Sequence, residues 1–230
     1  MRKKLLKPNS KELPRMIPVF PLTGVLLLPR GQLPLNIFEP RYLAMVRDVL
    51  KDEQRLIGMI QPKSPNPDDN RGISLAETQK PELYKTGCAG RITSFSESED
   101  GRYMLTLTGI CRFYIAEEMP EKDGYRRVFA NYSRFISDVE NLDDANIDRE
   151  KLLEIVKRFF ERQNIEASWT AIKATPTEKL VTSLAMSCPF EATERQALIE
   201  TPNFTDRAQM LLTLLEMALL APSDLSNKSH

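Results

Sequence analysis

Histidine is almost missing from this chain of 230 residues: the single one is His230, the last residue. That excludes imidazole acid–base chemistry, Ser-His-Asp triads and Cys-His pairs. Cysteine is scarce as well. Cys88, Cys111 and Cys188 show no Cys-x-x-Cys spacing, so zinc is not expected and the thiols read as reduced ones of a cytoplasmic protein. None of the nine glycines is followed by lysine, which removes the phosphate-cradling P-loop. Neither G-x-G-x-x-G nor G-x-S-x-G occurs, so no dinucleotide fingerprint or nucleophile elbow is present. Net charge is also lacking, with 32 basic and 32 acidic side chains. A surface dominated by nucleic acid or anionic lipid is therefore not expected. Long apolar runs are absent too. The nearest, Met210–Leu220, contains Thr213 and Glu216, against the ~18 apolar residues a membrane span needs. The basic N-terminus is followed only by Leu5 and Leu6, too little for a secretory signal. No cofactor, metal or membrane is expected.

What the chain does have is a dense, punctuated opening. Residues 18–46 hold Pro18, Pro21, Pro29, Pro34 and Pro40 around two apolar runs. Proline fixes φ and cannot donate to a ladder, so the segment divides into short pieces. Val25–Leu28 reads as a short buried strand and Leu33–Phe38 as a second. Pro40 suits the first turn of a helix, along which Tyr42, Met45, Val46 and Val49 share one face. Strands follow over 55–60, 84–96, 102–108 and 126–136, with turn signals at Asp100-Gly101 and Asp123-Gly124. Gly109 interrupts the alternation and signals a bulge. Several short linked strands imply an open barrel or curled sheet. From Asp148 the period becomes helical. Leu152, Ile155, Val156, Phe159 and Phe160 form one face, and Leu180, Val181, Leu184 and Ala185 another. Trp169 and Ile172 read as a short connection. Thr175 has capping-box spacing ahead of Glu178, and Thr205 is expected to cap the last helix. The expected organisation is a basic flexible tail (1–15), a β-rich part (16–139), a helical part (140–222) and a flexible tail (223–230), with a polar loop at 61–72.

Three groups of residues invite a functional reading. Glu39, Arg41 and Tyr42 form the sharpest polar constellation. Glu39 can accept backbone N–H groups at the helix start, Arg41 can reach back to an acid, and Tyr42 can bury its ring. That describes a structural corner, with direct contact to a partner as the other reading. Cys88 and Cys111 become diagonal neighbours if the Asp100-Gly101 turn has two residues, which sets 88 against 113 and 111 against 90. They then read as small buried thiols, or as a redox pair. The leucine stripe of the last helix is wider than one face needs, which fits either a bundle interior or an exposed groove.

FPLTGVLLLPRGQLPLNIFEPRYLAMV resembles the N-terminal substrate-binding domain of the Lon ATP-dependent proteases, in its stand-alone bacterial form. GCAGRITSF and DGRYMLTLTGICRFYI resemble that family's central hairpin. KLVTSLAMSCPFEATERQALIE and DRAQMLLTLLE resemble its helical part, so the likeness runs from about residue 16 to 221. It implies an α+β fold, a β-rich PUA-like pseudo-barrel followed by a helical subdomain. It also implies recognition of unfolded or exposed polypeptide without an enzymatic activity of its own, with a protease or other quality-control protein as a further partner. Recognition is expected through strand addition at a sheet edge or through an apolar groove between barrel and helices. An RNA-binding PUA-like module is the alternative, which the neutral charge opposes.

Overall fold

A computed structural model describes residues 13–63, 80–139 and 147–220. Six strands come first, with one helix among them: β1 (Met16–Pro21), β2 (Gln32–Ile37), α1 (Pro40–Lys51), β3 (Leu56–Ile60), β4 (Thr86–Glu97), β5 (Tyr103–Lys122) and β6 (Tyr125–Asn131). A 3-10 segment, Ser133–Asp138, leads away from the sheet. The helices are α2 (Arg149–Arg162), α3 (Trp169–Ala174), α4 (Thr177–Ser187), α5 (Ala192–Glu200) and α6 (Phe204–Leu220). The class is α+β.

The sheet closes on itself. β1 pairs with β3, β3 with β4, β4 with β5, β5 with β6, and β6 returns to β1. An open barrel or curled sheet is thus corrected to a closed ring, because the 20-residue β5 is long enough to serve two neighbours. Its first half also carries β2, in register from Gln32 opposite Thr108 to Ile37 opposite Tyr103. Among the described residues β2 is the strand with a single partner, and Pro34 sits in its middle. Proline is tolerated on such an edge because no ladder donor is required there.

The ring separates two cores. Ile17, Val19, Ala89, Cys111, Phe113, Ile115, Val128 and Ala130 fill its interior. The outer core joins barrel to helices: Met45, Val46, Ile57, Met59 and Leu107 pack in one cluster with Leu152, Val156, Val181 and Leu211. Each such side chain contributes about 1.5–3 kcal/mol on burial. α1 illustrates the rule: Tyr42, Met45, Val46 and Val49 are its buried residues, and Pro40 occupies its first turn.

Leu26–Leu28 are buried and Val25 is half-buried, but the run joins no ladder. It is a strap across the sheet, fixed where Arg30 N–H donates to the Gly109 carbonyl (2.8 Å) and Gly109 N–H donates to the Gly31 carbonyl (2.9 Å). The bulge expected at Gly109 is present, as a register shift beside the Gly90–Gly109 pair.

The β4–β5 loop is the five-residue Ser98–Arg102, closed by Ser98 N–H to the Arg102 carbonyl at 2.9 Å. The two-residue turn expected from Asp100-Gly101 is one register step off. Cys88 therefore faces Arg112 and Cys111 faces Ala89. A one-step slip exchanges the faces, so Cys88 lies in the outer core and Cys111 inside the ring. They are not same-face neighbours.

The helix starts bring further corrections. Thr175 Oγ1 donates backward to the Ala171 carbonyl (2.8 Å), and Pro176 occupies the N-cap of α4 without a side-chain bond. Asn203, not Thr205, accepts from Asp206 N–H (2.9 Å) at the start of α6. Trp169 and Ile172 belong to the short helix α3. Residues 13–15, read with the basic tail, pack on the barrel: Leu13 is buried and the Arg15 carbonyl accepts from Ala130 N–H (2.7 Å). Residues 1–12, most of the 61–72 loop, 140–146 and the 223–230 tail lie outside the described residues.

Candidate functional site

The Glu39-Pro40-Arg41-Tyr42 corner opens onto a pocket of about 150 Å³ beside α1. Pro21 ends β1 and forms one wall, Tyr42 another, and Pro62 and Pro81 a third. The last two are brought together by the pairing of Pro62 with Leu83 and of Tyr84 N–H with the Gln61 carbonyl (3.0 Å). The β5–β6 hairpin closes the far side with Glu121, Gly124 and Arg126.

Glu39 does not cap the helix with its side chain. Its carboxylate accepts from Arg41 Nε (3.0 Å) and Nη2 (2.8 Å), so it orients Arg41 and stands outside the pocket lining. Arg41, expected to reach across the sheet, turns over the Tyr42 ring instead, 4.6 Å from its centroid. Tyr42 in turn packs on Phe20 with ring centroids 4.2 Å apart. Burial raises the Tyr42 phenol above its ordinary range, with Arg41 opposing, so it is neutral at physiological pH. The rim charges are matched. Lys80 pairs with Glu121 (2.6 Å), and Arg126 pairs with Glu118 (2.5 Å) while donating to the Pro81 carbonyl (2.7 Å).

Asp48 on α1 locks the hairpin in place. It accepts from Lys122 (2.7 Å), Lys51 (3.0 Å) and the Tyr125 hydroxyl (2.9 Å). Those bonds, Lys122 foremost, hold its carboxyl well below the usual carboxylate range. A depressed folded-state pKa gives stability that is present above the unfolded value near 3.9 and lost as pH falls below it. Asp48→Asn is accordingly expected to be less stable than the parent at pH 7, with the gap closing below about pH 3. Urea unfolding across that range checks it; a gap constant with pH contradicts it.

The pocket offers a mainly apolar wall of three prolines and a tyrosine under a rim of paired charges. It is smaller than the ~300–1,000 Å³ typical of small-molecule sites, and suits one or two side chains. The cysteines lie elsewhere, all buried. Burial pushes the Cys188 thiol up to about 12 and raises Cys88 and Cys111 as well, so none is an activated nucleophile. Among the described residues no group of three His, Cys, Asp or Glu could hold a metal, and no helix is long and apolar enough to cross a membrane. In α6, Leu211, Leu212, Leu214 and Leu215 are buried, whereas Met217 and Leu220 are exposed.

Arg41 and Tyr42 were legible as candidates; the other walls were not. Proline reads in a sequence as punctuation, and the convergence of Pro21, Pro62 and Pro81 depends on the parallel pairing of β1 with β3 and on the Pro62–Leu83 bridge, both between segments distant in sequence. The Asp123-Gly124 turn was the one hint of the hairpin.

The architecture is a closed barrel packed against a helical cap, with a small, mainly apolar surface pocket. The family follows from the comparisons. Residues 16–217 match the model of the ATP-dependent protease La (LON) substrate-binding domain, and the chain belongs to that family. It is 24% identical over 208 residues to Lon protease 2 of Myxococcus xanthus, covering 90% of this chain and 24% of that protein. It is 30% identical over 99 residues to Lon protease 2 of Sorangium cellulosum, covering 43% of this chain and 11% of that protein. The chain thus spans about a quarter or less of the length of these relatives. Among solved structures, the Lon N-terminal domain protein from Xanthomonas campestris superposes with a TM-score of 0.56 at 24% identity, over 86% of this chain and 97% of that one. The N-terminal domain of the Mycobacterium avium complex Lon protease gives 0.57 at 13% identity, over 87% and 98%. These two show the fold.

Proposed function

We propose that this protein is a non-enzymatic polypeptide-binding module that takes an apolar side chain of an unfolded or exposed segment into the Pro21–Tyr42–Pro62–Pro81 pocket. The pocket's composition carries the reading: its walls are mainly apolar, its rim charges are already paired, and it lies open beside α1. Membership of a substrate-binding family supports the same reading. The finer form is an adaptor or regulator that brings such segments to a cytoplasmic protease.

The route of binding is side-chain insertion. Strand addition is disfavoured at β2, the strand with a single partner among the described residues, because Pro34 sits in its middle. The pocket also lies beside α1 and the β5–β6 hairpin, apart from the α2–α6 cap, where the groove was expected.

Fluorescence anisotropy with labelled unfolded peptides tests both parts. The parent is expected to bind in the micromolar range. Pro81→Asp places a charge in the wall at an exposed position, leaving the fold intact, and should weaken binding about tenfold, or ~1.4 kcal/mol. Absence of binding up to millimolar peptide overturns the function. Unchanged binding by a folded Pro81→Asp protein overturns the site.

A further inference from the structure

A second cavity lies where the 3-10 segment meets α4 and α6. Arg30 and Glu178 form an ion pair at its half-exposed mouth. Ser137 is exposed at the mouth as well, Asp138, Thr182 and Arg207 line the cavity further in, and its volume is about 20 Å³. Arg207 is 4% exposed. Its Nε donates to the Leu198 carbonyl (3.3 Å), but Nη2, fully buried, has no hydrogen-bond partner among the described residues.

The charges around the cavity do not balance. Arg30 is matched by Glu178, and Arg112 is matched by Asp138 in a two-pronged pair with both contacts at 2.9 Å. Arg207 is the third guanidinium and has no ion pair among the described residues. Burial lowers its pKa to about 10, with Arg112 adding to the effect and Asp138 opposing it, so it remains a cation at neutral pH. An unpaired buried cation is strongly unfavourable. A lone N–H could be satisfied by water, but water leaves the charge uncompensated. The volume admits about one water-sized body, which excludes phosphate, sulfate and carboxylate-bearing ligands.

We propose that this cavity binds one small monovalent anion of halide size, with Arg207 Nη2 as its principal donor. The hydroxyls of Thr182 and Ser137 are the further donors at hand, and the Arg30–Glu178 pair stands over the path of exchange. A bound halide supplies the missing negative charge between the barrel and the helical cap, and stabilises the folded state by mass action.

The test compares thermal unfolding in sodium chloride, bromide and gluconate at matched ionic strength, near about 0.15 M. Chloride and bromide are expected to raise Tm above gluconate, by an amount on the order of 3 °C. Arg207→Met should unfold at the same temperature in all three salts. If that variant does not fold, Thr182→Val keeps the cation and the burial; it should shift the halide midpoint to about five- to tenfold higher concentration. A bromide-soaked crystal should show an anomalous peak at hydrogen-bond distance from Nη2. Equal Tm in all three salts together with no such peak overturns the proposal, as does a halide shift that Arg207→Met leaves unchanged.

Discussion

Replacing Arg112 by methionine should destabilise the protein by about 3–5 kcal/mol. The side chain is wholly buried on β5, and every one of its five donors is used. Nε and Nη2 reach the two carboxylate oxygens of Asp138, each at 2.9 Å. Nη1 donates to the Ile199 carbonyl (3.1 Å) and to that of Thr201, and Nη2 also donates to the Pro202 carbonyl (3.2 Å). The guanidinium lies 4.4 Å from the Phe135 ring centroid as well. One residue thus ties a barrel strand, the 3-10 segment and the α5–α6 connection. Methionine keeps the apolar stem but strands a buried carboxylate and three carbonyls. A single lysine ammonium cannot reproduce the planar fork, so Arg112→Lys should fall between the two. Removing both charges, as Arg112→Met with Asp138→Asn, should recover part of the loss, because half a buried pair costs more than none. Urea unfolding measures all three; a loss under about 1 kcal/mol in Arg112→Met contradicts the clamp.

Gly109→Ala is expected to cost about 3–5 kcal/mol. A Cβ there would sit 2.7 Å from the Leu28 carbonyl carbon and closer still to its oxygen. The obstacle is backbone, so no rotamer change relieves it. The strap must lift, and its two hydrogen bonds to Gly109 go with it, at about 1 kcal/mol each. Gly101→Ala is the control. Gly101 has φ +79° but open space around it, so alanine there meets only conformational strain of about 1–2 kcal/mol. Chemical denaturation of the two variants separates crowding from strain; equal losses would mean the strap is not held by close approach.

How far the sequence carried depends on whether a feature is local. The buried stripe of α1 and the inward face of β6, Val128 and Ala130, follow from period alone, and the structure places them so; the strand expected to run to 136 ends at Asn131, where Tyr132 leads into the 3-10 segment. Val25–Leu28 has the composition of a strand, but an apolar run does not say whether its backbone finds a ladder; here Gly109 binds it as a strap. Arg112 falls between Cys111 and Phe113, where alternation puts it outside the ring. Outside is not solvent here, since the α5–α6 connection covers that face. The loop of five residues in place of two reversed the cysteine relation through a single register step. The pocket was legible only at Arg41 and Tyr42, because its prolines come from segments distant in sequence that the β1–β3 pairing and the Pro62–Leu83 bridge bring together.

Ring closure has a last consequence, for what happens to a sticky neighbour. A stretched polypeptide that meets an open sheet can copy it, amide by amide, and stay. This surface offers only short rows to copy: among the described residues five strands each have two partners along part of their length, with the ends of β4 and β5 running past the second one, and the sixth carries at mid-row a residue without a donor. Closure thus shortens the edge on which a neighbouring chain could grow, and contact elsewhere on the barrel is a matter of side chains.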